Sequence, residues 1–223
     1  MCGRFTLRNA EQLPLRFGAT VSPEIEAALV PHYNIAPTQP IPIVVAEESG
    51  QRQIALANWG LTPHRSTGKG FLAFNARAET LTARPLFRGL LPKSRCLIPS
   101  DGFIEWAKAG KARDPFFFAL ANGDIFAFAG LLDRWVDGEG QEHAACTIIT
   151  TAPNKLVGTI HDRMPVILPR DEEGTWLDPQ ATVGGDLLPL LAAYPARAMT
   201  TWPLDRAINS SRQDAPELLH AVH

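Results

Sequence analysis

The sequence is poor in cysteine, and it has neither a long apolar run nor an excess of charge of one sign. Its three cysteines, Cys2, Cys96 and Cys146, are widely spaced and form no CxxC pair. This pattern argues against a disulfide framework and against a structural metal, and it suits a reducing compartment. No apolar run approaches 18 residues and no apolar stretch follows the N-terminus. We therefore expect neither membrane spanning nor export, and a cytoplasmic location.

Charge and length indicate an ordinary globular protein. The 21 lysine and arginine residues nearly balance the 23 acidic residues, which gives a net charge of −2. Bulk electrostatic coating of nucleic acid is therefore not expected, although a local basic groove is compatible with the sequence. With 223 residues we expect one domain over 1–223, and a monomer by default. The candidate groove residues, each of which could equally be a solvated surface charge, are Arg4, Arg77, Arg84, Arg88, Lys93 and Arg95.

Short apolar runs separated by turn residues predict β-hairpins in the middle of the chain. The alternating stretches 41–46 and 51–59 predict one hairpin. The dipeptide Asn122-Gly123 is a strong turn signal between the apolar runs 116–118 and 125–132, and it predicts a second hairpin. Such pairs are typical of an antiparallel sheet.

Turn and helix signals complete the prediction of fold class. Pro99-Ser100-Asp101-Gly102 predicts a turn between two further strands. Residues 9–17 predict a short helix that Asn9 can cap, and 171–178 and 184–193 are also helical in pattern. We expect an α+β fold in a single domain, with a mainly antiparallel, twisted, barrel-like β core and peripheral helices.

The first residues of the chain contain a nucleophile that no internal cysteine can provide. Removal of Met1 would give Cys2 an α-amine beside its thiol, with ordinary pKa values of about 8 and about 8.5. This pair condenses with an aldehyde, first to a Schiff base and then to a five-membered thiazolidine ring. Gly3 permits close backbone approach, Arg4 suits a phosphate, and Phe5 can anchor the terminus in a core. The alternative is that Cys2 is incidental, at a frayed terminus.

Three further polar residues are candidates for moving protons or orienting a substrate. Glu105 lies in a strand pattern, where alternation favours a solvent-facing carboxylate, whereas a partly dry site would raise its pKa. Taken alone, His161 is best explained as a hydrogen-bonded structural histidine, and Asn75 as a residue that satisfies loop backbone. None of the three specifies a function by itself.

Together, seven motifs resemble the SRAP (SOS-response-associated peptidase) family and occur in the family's order. They are MCGRF at 1–5, YNIAPT at 33–38, WGLTP at 59–63, NARAET at 75–80, RCLIP at 95–99, GFIEW at 102–106 and IHDRMP at 160–165. The resemblance continues through Asn209 to PELL at 216–219, so it spans the chain.

The resemblance implies a DNA-damage protein that captures abasic sites in single-stranded DNA covalently, without a cofactor or a metal. Cys2 would form the thiazolidine, Asn75 would orient the reacting groups, and Glu105 would handle protons. His161 would promote opening of the deoxyribose to its aldehyde. The family also implies an association with the nucleoid when DNA is damaged, and lyase or autopeptidase activity.

The resemblance also implies a positively charged cleft for the strand. Arg4 and Arg77 would hold the phosphates that flank the lesion, and the cleft would further include Asn34, Arg65 and Trp106.

Two departures from the family pattern affect this cleft. His64-Arg65-Ser66 follows Pro63 where family members generally carry a tryptophan, so Arg65 would supply charge or guanidinium stacking instead. Near Glu105, Ile104 replaces a common aromatic residue and Ala107 a common basic one.

Two other functions remain open at this point. One is a thiol peptidase that acts on itself, by removing Met1, or on other peptides. The other is a non-covalent binder of single-stranded DNA in which Cys2 is idle.

Overall fold

The computed structural model describes residues 2–47, 49–62, 72–109 and 112–222. Fourteen strands occur in these ranges. In chain order they are β1 Arg4–Leu7, β2 Ala19–Thr20, β3 His32–Ile35, β4 Pro40–Ala46, β5 Arg52–Trp59, β6 Asn75–Arg77, β7 Arg95–Ser100, β8 Gly102–Ala109, β9 Ala112–Leu120, β10 Phe126–Val136, β11 Glu142–Thr151, β12 Met164–Pro165, β13 Ile167–Leu168 and β14 Met199–Pro203.

Helices in the described part of the chain are short and lie between the strands. The α-helices are α1 Leu13–Phe17, α2 Pro23–Glu26, α3 Pro85–Arg88 and α4 Glu173–Leu177. The 3₁₀ turns are Ala10–Gln12, Ala78–Thr80, Val157–Thr159, Arg170–Glu172, Leu188–Leu190, Ala196–Ala198, Arg206–Asn209 and Pro216–Leu219, and Val183–Leu187 is a π-helical turn. Among the described residues, no helix has the length and apolar character needed to cross a membrane.

Five strands close into a barrel. The ladder runs β11-β10-β7-β4-β5, and β5 pairs in turn with β11, so that the last strand returns to the first. All these pairs are antiparallel except β5 with β11, which is parallel. Closure removes the exposed edges that an open sheet of the same strands would present.

A second sheet packs against this barrel and carries the N-terminal strand. Its order is β14-β9-β8-β1-β3, with antiparallel pairing throughout. One face is apolar because Phe5, Phe103 and Phe118 project from neighbouring strands into the main core. Phe5 makes edge-to-face contacts with Trp59 and Phe128 of the barrel, at centroid distances of 5.1 and 5.8 Å.

The opposite face of this second sheet is covered by the C-terminal segment. Ile104 and Phe117 form a smaller apolar cluster with Ile208, Leu218 and Leu219. Both faces of the sheet are therefore buried, which explains why its strands contain apolar runs rather than strict alternation. The predicted α+β class, with a barrel-like, mainly antiparallel core and peripheral helices, is confirmed.

The predicted turn at Pro99–Gly102 is a corner between the two sheets. Strand β7 ends at Ser100 in the barrel and β8 begins at Gly102 in the second sheet, so only Asp101 lies between them. The Asp101 carboxylate is buried, accepts hydrogen bonds from the Thr6 hydroxyl and the Arg8 amide, and pairs with the Arg8 guanidinium. Local patterning predicts the change of direction, whereas the change of sheet depends on these distant partners.

One of the two predicted hairpins is confirmed and the other is wrong. Strands β4 and β5 pair from Pro40 to Ala46 as expected. A turn does occur at Asn122-Gly123, where Gly123 has a φ of +74°, but β9 and β10 do not pair with each other across it. Instead β9 joins the second sheet and β10 the barrel. The turn at these residues is therefore predicted correctly, but the two strands that it connects pair with strands of different sheets.

The helical predictions hold in outline. The 9–17 stretch forms the 3₁₀ turn Ala10–Gln12 followed by α1, and 171–178 contains α4. The Asn9 side chain makes no capping hydrogen bond, so the predicted cap is wrong. Between 184 and 193 the chain forms the π-helical and 3₁₀ turns given above rather than one regular helix.

Substitution of Gly102 by alanine should destabilise the fold. A Cβ atom at Gly102 would overlap the ring of the buried Phe117, so the substitution overpacks the corner between the sheets. We expect the free energy of unfolding in urea to fall by about 1–3 kcal/mol. Gly89→Ala is the matched control, because a Cβ there meets no atom within 4 Å, and it should change stability by less than about 0.5 kcal/mol. Equal effects of the two substitutions would contradict this account.

Candidate active site

The candidate site lies where the N-terminal strand leaves the second sheet. In the antiparallel ladder of β1 with β8, Arg4 lies opposite Ile104 and Phe5 opposite Phe103. Arg4 opposite Ile104 is the last pair of this ladder, so Cys2 and Gly3 leave β1 beside the point where β8 continues into Glu105 and Trp106. The pairing thus brings the MCGRF and GFIEW motifs to one place.

Cys2 is fully buried, and its main-chain carbonyl is held. The Asn75 Nδ2 atom donates a hydrogen bond to the Cys2 carbonyl oxygen at 2.7 Å, and the Cys2 thiol contacts the Arg4 carbonyl at 3.7 Å. Burial raises the pKa of the Cys2 thiol far above its ordinary value, and the Glu105 carboxylate raises it further. In the folded chain the thiol is therefore protonated near neutral pH. The result also shows that Glu105 is close enough to affect Cys2 electrostatically.

Asn75 reaches Cys2 because β6 is fixed to the barrel. Strand β6 runs parallel to β11, with Asn75 opposite Ile148 and Arg77 opposite Thr150. The Asn75 Oδ1 atom is buried and accepts no hydrogen bond from the described part of the chain. A buried carbonyl oxygen without a donor is costly, so this atom is suited to accept a hydrogen bond from a bound substrate or from a reacting amine.

Glu105 faces the interior, not solvent. It lies two residues after Phe103 and therefore projects from the same face of β8, toward the main core, with 1% of its surface exposed. Burial raises the pKa of the Glu105 carboxyl to about 7; the N-terminal amine opposes this shift, and the negative charge of Asp162 adds a smaller increase. Of the two alternatives that the sequence left open, the partly dry site is the one observed. A carboxyl group that titrates near 7 can both donate and accept a proton at physiological pH.

His161 is held in a tight loop next to a 3₁₀ turn. The Asn154 side chain accepts hydrogen bonds from the Leu156 and Val157 amides at 2.9 Å, and the His161 amide donates to the Val157 carbonyl. The Arg163 amide lies 3.0 Å from His161 Nδ1 and can donate to this nitrogen when it carries no proton. Sequence reasoning missed Asn154, since an isolated asparagine carries no signal of the loop it organises.

Three contacts at His161 Nδ1 bear on which ring nitrogen carries a proton. The Arg163 amide can donate to this nitrogen when it is unprotonated, whereas the Arg163 carbonyl and the Asp162 carboxylate, each 3.2 Å away, favour a proton there. Asp162 is 80% exposed, so solvent screens its attraction. These contacts are compatible with either tautomer of the neutral ring.

An ion pair that the sequence analysis did not identify joins two of the site motifs. Arg163 donates to both carboxylate oxygens of Glu79 at 2.8 and 3.0 Å, and also to the Thr150 carbonyl at 2.6 Å. Glu79 follows β6 and Arg163 precedes β12, and these two strands pair with the same end of β11. The bidentate pair therefore fixes the His161 loop relative to Asn75. The only indication of this ion pair in the sequence is that Glu79 belongs to the NARAET motif and Arg163 to the IHDRMP motif.

Three of the residues expected in a DNA cleft lie at the surface around this site. Arg77 is exposed, while Arg4 and Trp106 are partly exposed. Trp106 directly follows Glu105 in β8, and Arg4 pairs with Ile104, which directly precedes Glu105. Since consecutive residues of a strand point to opposite faces, Arg4 and Trp106 lie on the face of the second sheet opposite to Glu105. Arg4 donates to the Gly3 carbonyl at 2.9 Å, and partial burial lowers its pKa without removing its charge.

Asn34 is a correction to the expected DNA-binding set. Only 2% of its surface is exposed, and its Nδ2 atom lies within hydrogen-bond distance of the Ile208, Ser210 and Gln213 carbonyls, at 2.9–3.1 Å. These contacts hold the segment that contains Asn209, whose Oδ1 atom accepts a 2.6 Å hydrogen bond from the Trp106 indole. The buried Asn34 side chain thus holds the segment whose Asn209 contacts Trp106, and it does not lie on the surface of an open cleft.

The remaining expected residue, Arg65, lies outside the described residues, as do the neighbouring positions of the departure after Thr62. Within the described ranges, no group of three or more histidine, cysteine, aspartate or glutamate side chains is placed to hold a metal ion.

Comparisons with known proteins agree on one family. The family model described as SOS response associated peptidase (SRAP) matches residues 1–211. Abasic site processing protein YoqW of Bacillus subtilis (strain 168) is 40% identical over 226 residues, which cover 99% of this chain and 100% of the relative. Abasic site processing protein YedK of Escherichia coli (strain K12) is 26% identical over 230 residues, with 100% of both chains covered. An X-ray structure of a protein from Bacteroides thetaiotaomicron has a TM-score of 0.87 at 26% identity, again over 100% of both chains.

The raised pKa of Glu105 predicts that its charge destabilises the fold. The carboxyl titrates near 4.3 in an unfolded chain and near 7 in the folded protein, so the fold favours the neutral form. We expect the stability of the unmodified chain, relative to Glu105→Gln, to be greatest below pH 4 and to fall by about 3 kcal/mol as the pH rises through 7. Urea denaturation of both proteins at a series of pH values measures the difference. The exposed carboxylate variant Glu11→Gln is the control and should show no comparable slope. A pH-independent difference for Glu105→Gln would contradict the assignment.

Proposed function

Because the chain belongs to the SOS response associated peptidase family, we propose that it processes abasic sites in single-stranded DNA by forming a covalent adduct with them. The observation that supports this most directly is the surroundings of Cys2. Its carbonyl is held by Asn75, and a carboxyl group with a pKa of about 7 lies close enough to affect its thiol. The names of the curated relatives, which refer to abasic site processing, support the same substrate.

The proposed chemistry requires Met1 to be removed, so that Cys2 has a free α-amine. The abasic deoxyribose opens from its ring form to an aldehyde, and the amine attacks the aldehyde carbon to give a carbinolamine. Loss of one water gives the Schiff base, and addition of the sulfur to the imine carbon closes the thiazolidine. The net reaction joins aldehyde, amine and thiol with release of one water and no change of oxidation state. The ring is more resistant to hydrolysis than the imine, so the adduct persists.

Each neighbouring group has a task in this sequence. The carboxylate of Glu105 accepts the proton of the α-ammonium before attack, and the resulting acid donates it when water leaves the carbinolamine. Since the Cys2 thiol is protonated at neutral pH, ring closure also needs a base, and Glu105 is again the nearest group with a suitable pKa. When Nε2 of His161 carries a proton, it can donate that proton to the ring oxygen of the sugar as the sugar opens. Asn75 Oδ1 can accept a hydrogen bond from the attacking amine.

The strand would cross the surface around Cys2. We propose that Arg4 and Arg77 contact the phosphates on either side of the lesion and that Trp106 stacks on a base. The hydrogen bond from the Trp106 indole to Asn209 limits rotation of the ring, which reduces the entropy lost on stacking. Arg65 remains part of the proposed surface. Because phosphate contacts release counterions, non-covalent affinity should fall steeply with salt concentration.

Peptidase activity is the second candidate, because the family description contains that word. Thiol peptidases depend on a cysteine with a lowered pKa, close to a positive charge or a helix N-terminus. Burial and the Glu105 carboxylate instead raise the pKa of the Cys2 thiol. The aldehyde reaction begins with the amine and does not need a stable thiolate, so the surroundings of Cys2 favour it.

Covalent capture can be tested with two variants that separate the roles of amine and thiol. The protein, confirmed by mass to begin at Cys2, is incubated with a single-stranded oligonucleotide that contains one abasic site. We expect a heat-stable adduct on a denaturing gel, with the mass of protein plus DNA minus one water. Cys2→Ser and Cys2→Ala retain the α-amine but lack the thiol, so they should yield only an adduct that needs borohydride reduction to survive.

Three outcomes of this experiment would decide between the candidates. A stable adduct with Cys2→Ala would exclude the thiazolidine. Absence of any adduct, with unchanged DNA affinity in Cys2→Ala, would support a non-covalent binder. Cleavage of an added peptide that depends on the Cys2 thiol, without an adduct, would support a peptidase.

The rate of capture should depend on the protonation of Glu105. With saturating DNA, we expect the rate of adduct formation to rise with pH through an apparent pKa of about 7, because the carboxylate is the active form in amine deprotonation. In Glu105→Gln the rate at pH 7 should fall about 100-fold, and its rise with pH should move toward 8, where the free α-amine titrates. DNA affinity should change little. Loss of affinity in parallel with rate would mean that Glu105 supports the structure of the cleft instead.

A further inference from the structure

A cavity of about 740 Å³ opens beside the candidate active site and is not used by the chemistry described above. Its walls are mainly apolar and include Leu72, Phe74, Leu86 and Phe87. It shares Asn75 and Arg77 with the site itself, so the cavity and the reactive centre are contiguous. The volume is within the range of about 300–1,000 Å³ that small-molecule sites occupy.

The charge around this cavity is positive. Arg77 and Arg84 both line it and both are exposed, and neither forms a salt bridge within the described ranges. No carboxylate is among the described lining residues, and the nearest one in sequence, Glu79, is paired with Arg163. An apolar interior with two exposed guanidinium groups at its border is complementary to a flat apolar ring joined to an anion.

A nucleotide has this combination of properties. Its base can enter between aliphatic and aromatic walls, while its phosphate remains outside with an arginine. The abasic residue itself has no base, so it cannot occupy such a cavity. Any recognition of a base must come from an intact neighbour on the same strand, and the shared residues Asn75 and Arg77 put the cavity within reach of that neighbour.

We propose that this cavity binds the base of an intact nucleotide close to the abasic site, with Arg84 on its phosphate, and so holds the strand in register for capture. The inference rests on the proposed function and adds a second recognition element to it. In this arrangement Arg77 contacts the phosphate of the abasic residue, whereas Arg84 and Leu86 contact the neighbouring intact nucleotide. Both lie at α3, which follows β6 through the 3₁₀ turn Ala78–Thr80.

The test is a scan of base removal along the strand. Oligonucleotides carry one abasic site and, in each member of the series, one stable base-free tetrahydrofuran residue at a different flanking position. At protein concentrations below saturation, we expect one position at which the missing base slows adduct formation about fivefold or more, as for loss of one stacked base. Removal of bases elsewhere should have smaller effects.

Variants connect this sensitivity to the cavity. In Arg84→Ala and in Leu86→Gln, capture on the intact strand should slow, and removal of the sensitive base should cause no further loss. Arg88→Ala is the matched control, because Arg88 is an exposed arginine of the same helix that is not among the cavity's described lining residues. It should preserve the full effect of base removal. Circular dichroism will show whether Leu86→Gln remains folded. If it does not, Arg84→Ala still tests the inference, because Arg84 is exposed and its replacement should not affect folding.

Failure of this inference can be distinguished from failure of the proposed function. Efficient capture with no sensitive position, or with a sensitive position that Arg84→Ala leaves unchanged, would overturn the base site alone. Absence of capture with every oligonucleotide would overturn the proposed function. In that case fluorescence anisotropy with the same base-free series still tests the cavity. A position-specific loss of affinity that Arg84→Ala removes would support the base site, and uniform affinity would overturn it.

Discussion

Pairing of β11 with four other strands is the constraint on which both the barrel and the candidate site depend. Near its start β11 is parallel to β5, which closes the barrel, and near its end it pairs with β6 and β12. Those last two strands carry or adjoin Asn75 and His161. The Arg163 guanidinium, bound to both Glu79 and the Thr150 carbonyl, joins them at the same end. Positions far apart in sequence are thereby fixed on a strand that has no freedom to shift register without opening the barrel.

The second sheet positions the proposed nucleophile, Cys2, and the proposed proton carrier, Glu105, in a different way. Because both of its faces are buried, alternate residues of β8 enter two different clusters, Phe103 in the main core and Ile104 under the C-terminal segment. Glu105 continues the first of these series, so its carboxyl lies in a dry environment where a neutral acid is favoured. A solvated sheet face would leave the same residue ionised with an ordinary pKa. The chemistry attributed to Glu105 thus depends on its place on the face of the sheet that packs against the barrel.

The accuracy of the sequence-based predictions follows the range of the interactions involved. The class of fold, the β4–β5 hairpin and α4 rest on local patterns, and these are confirmed. The hairpin predicted at Asn122-Gly123 was wrong because the turn residues determine that the chain reverses but not which sheet receives each strand. Glu105 points toward the barrel because its neighbour Ile104 is buried under the C-terminal segment on the other face. That segment is more than a hundred residues away in sequence, so no local pattern predicts this arrangement. For the same reason Asn34 looked available to a ligand although it is buried and its Nδ2 atom is used within the chain.

The family motifs located the site, but they did not show which of their residues lie in it and which only hold other elements in place. Within the YNIAPT and NARAET motifs, Asn34 and Glu79 have no contact with Cys2 among the described interactions, yet each fixes an element that bears on the site. Asn34 holds the segment that orients Trp106 through Asn209, and Glu79 holds the loop of His161 through Arg163. A capture reaction with several proton transfers requires its groups to stay within hydrogen-bond reach while the substrate changes shape. In this protein, polar contacts made by Asn34 and Glu79 serve the proposed reaction in this way, so a motif residue can support the geometry of the site without touching the proposed substrate.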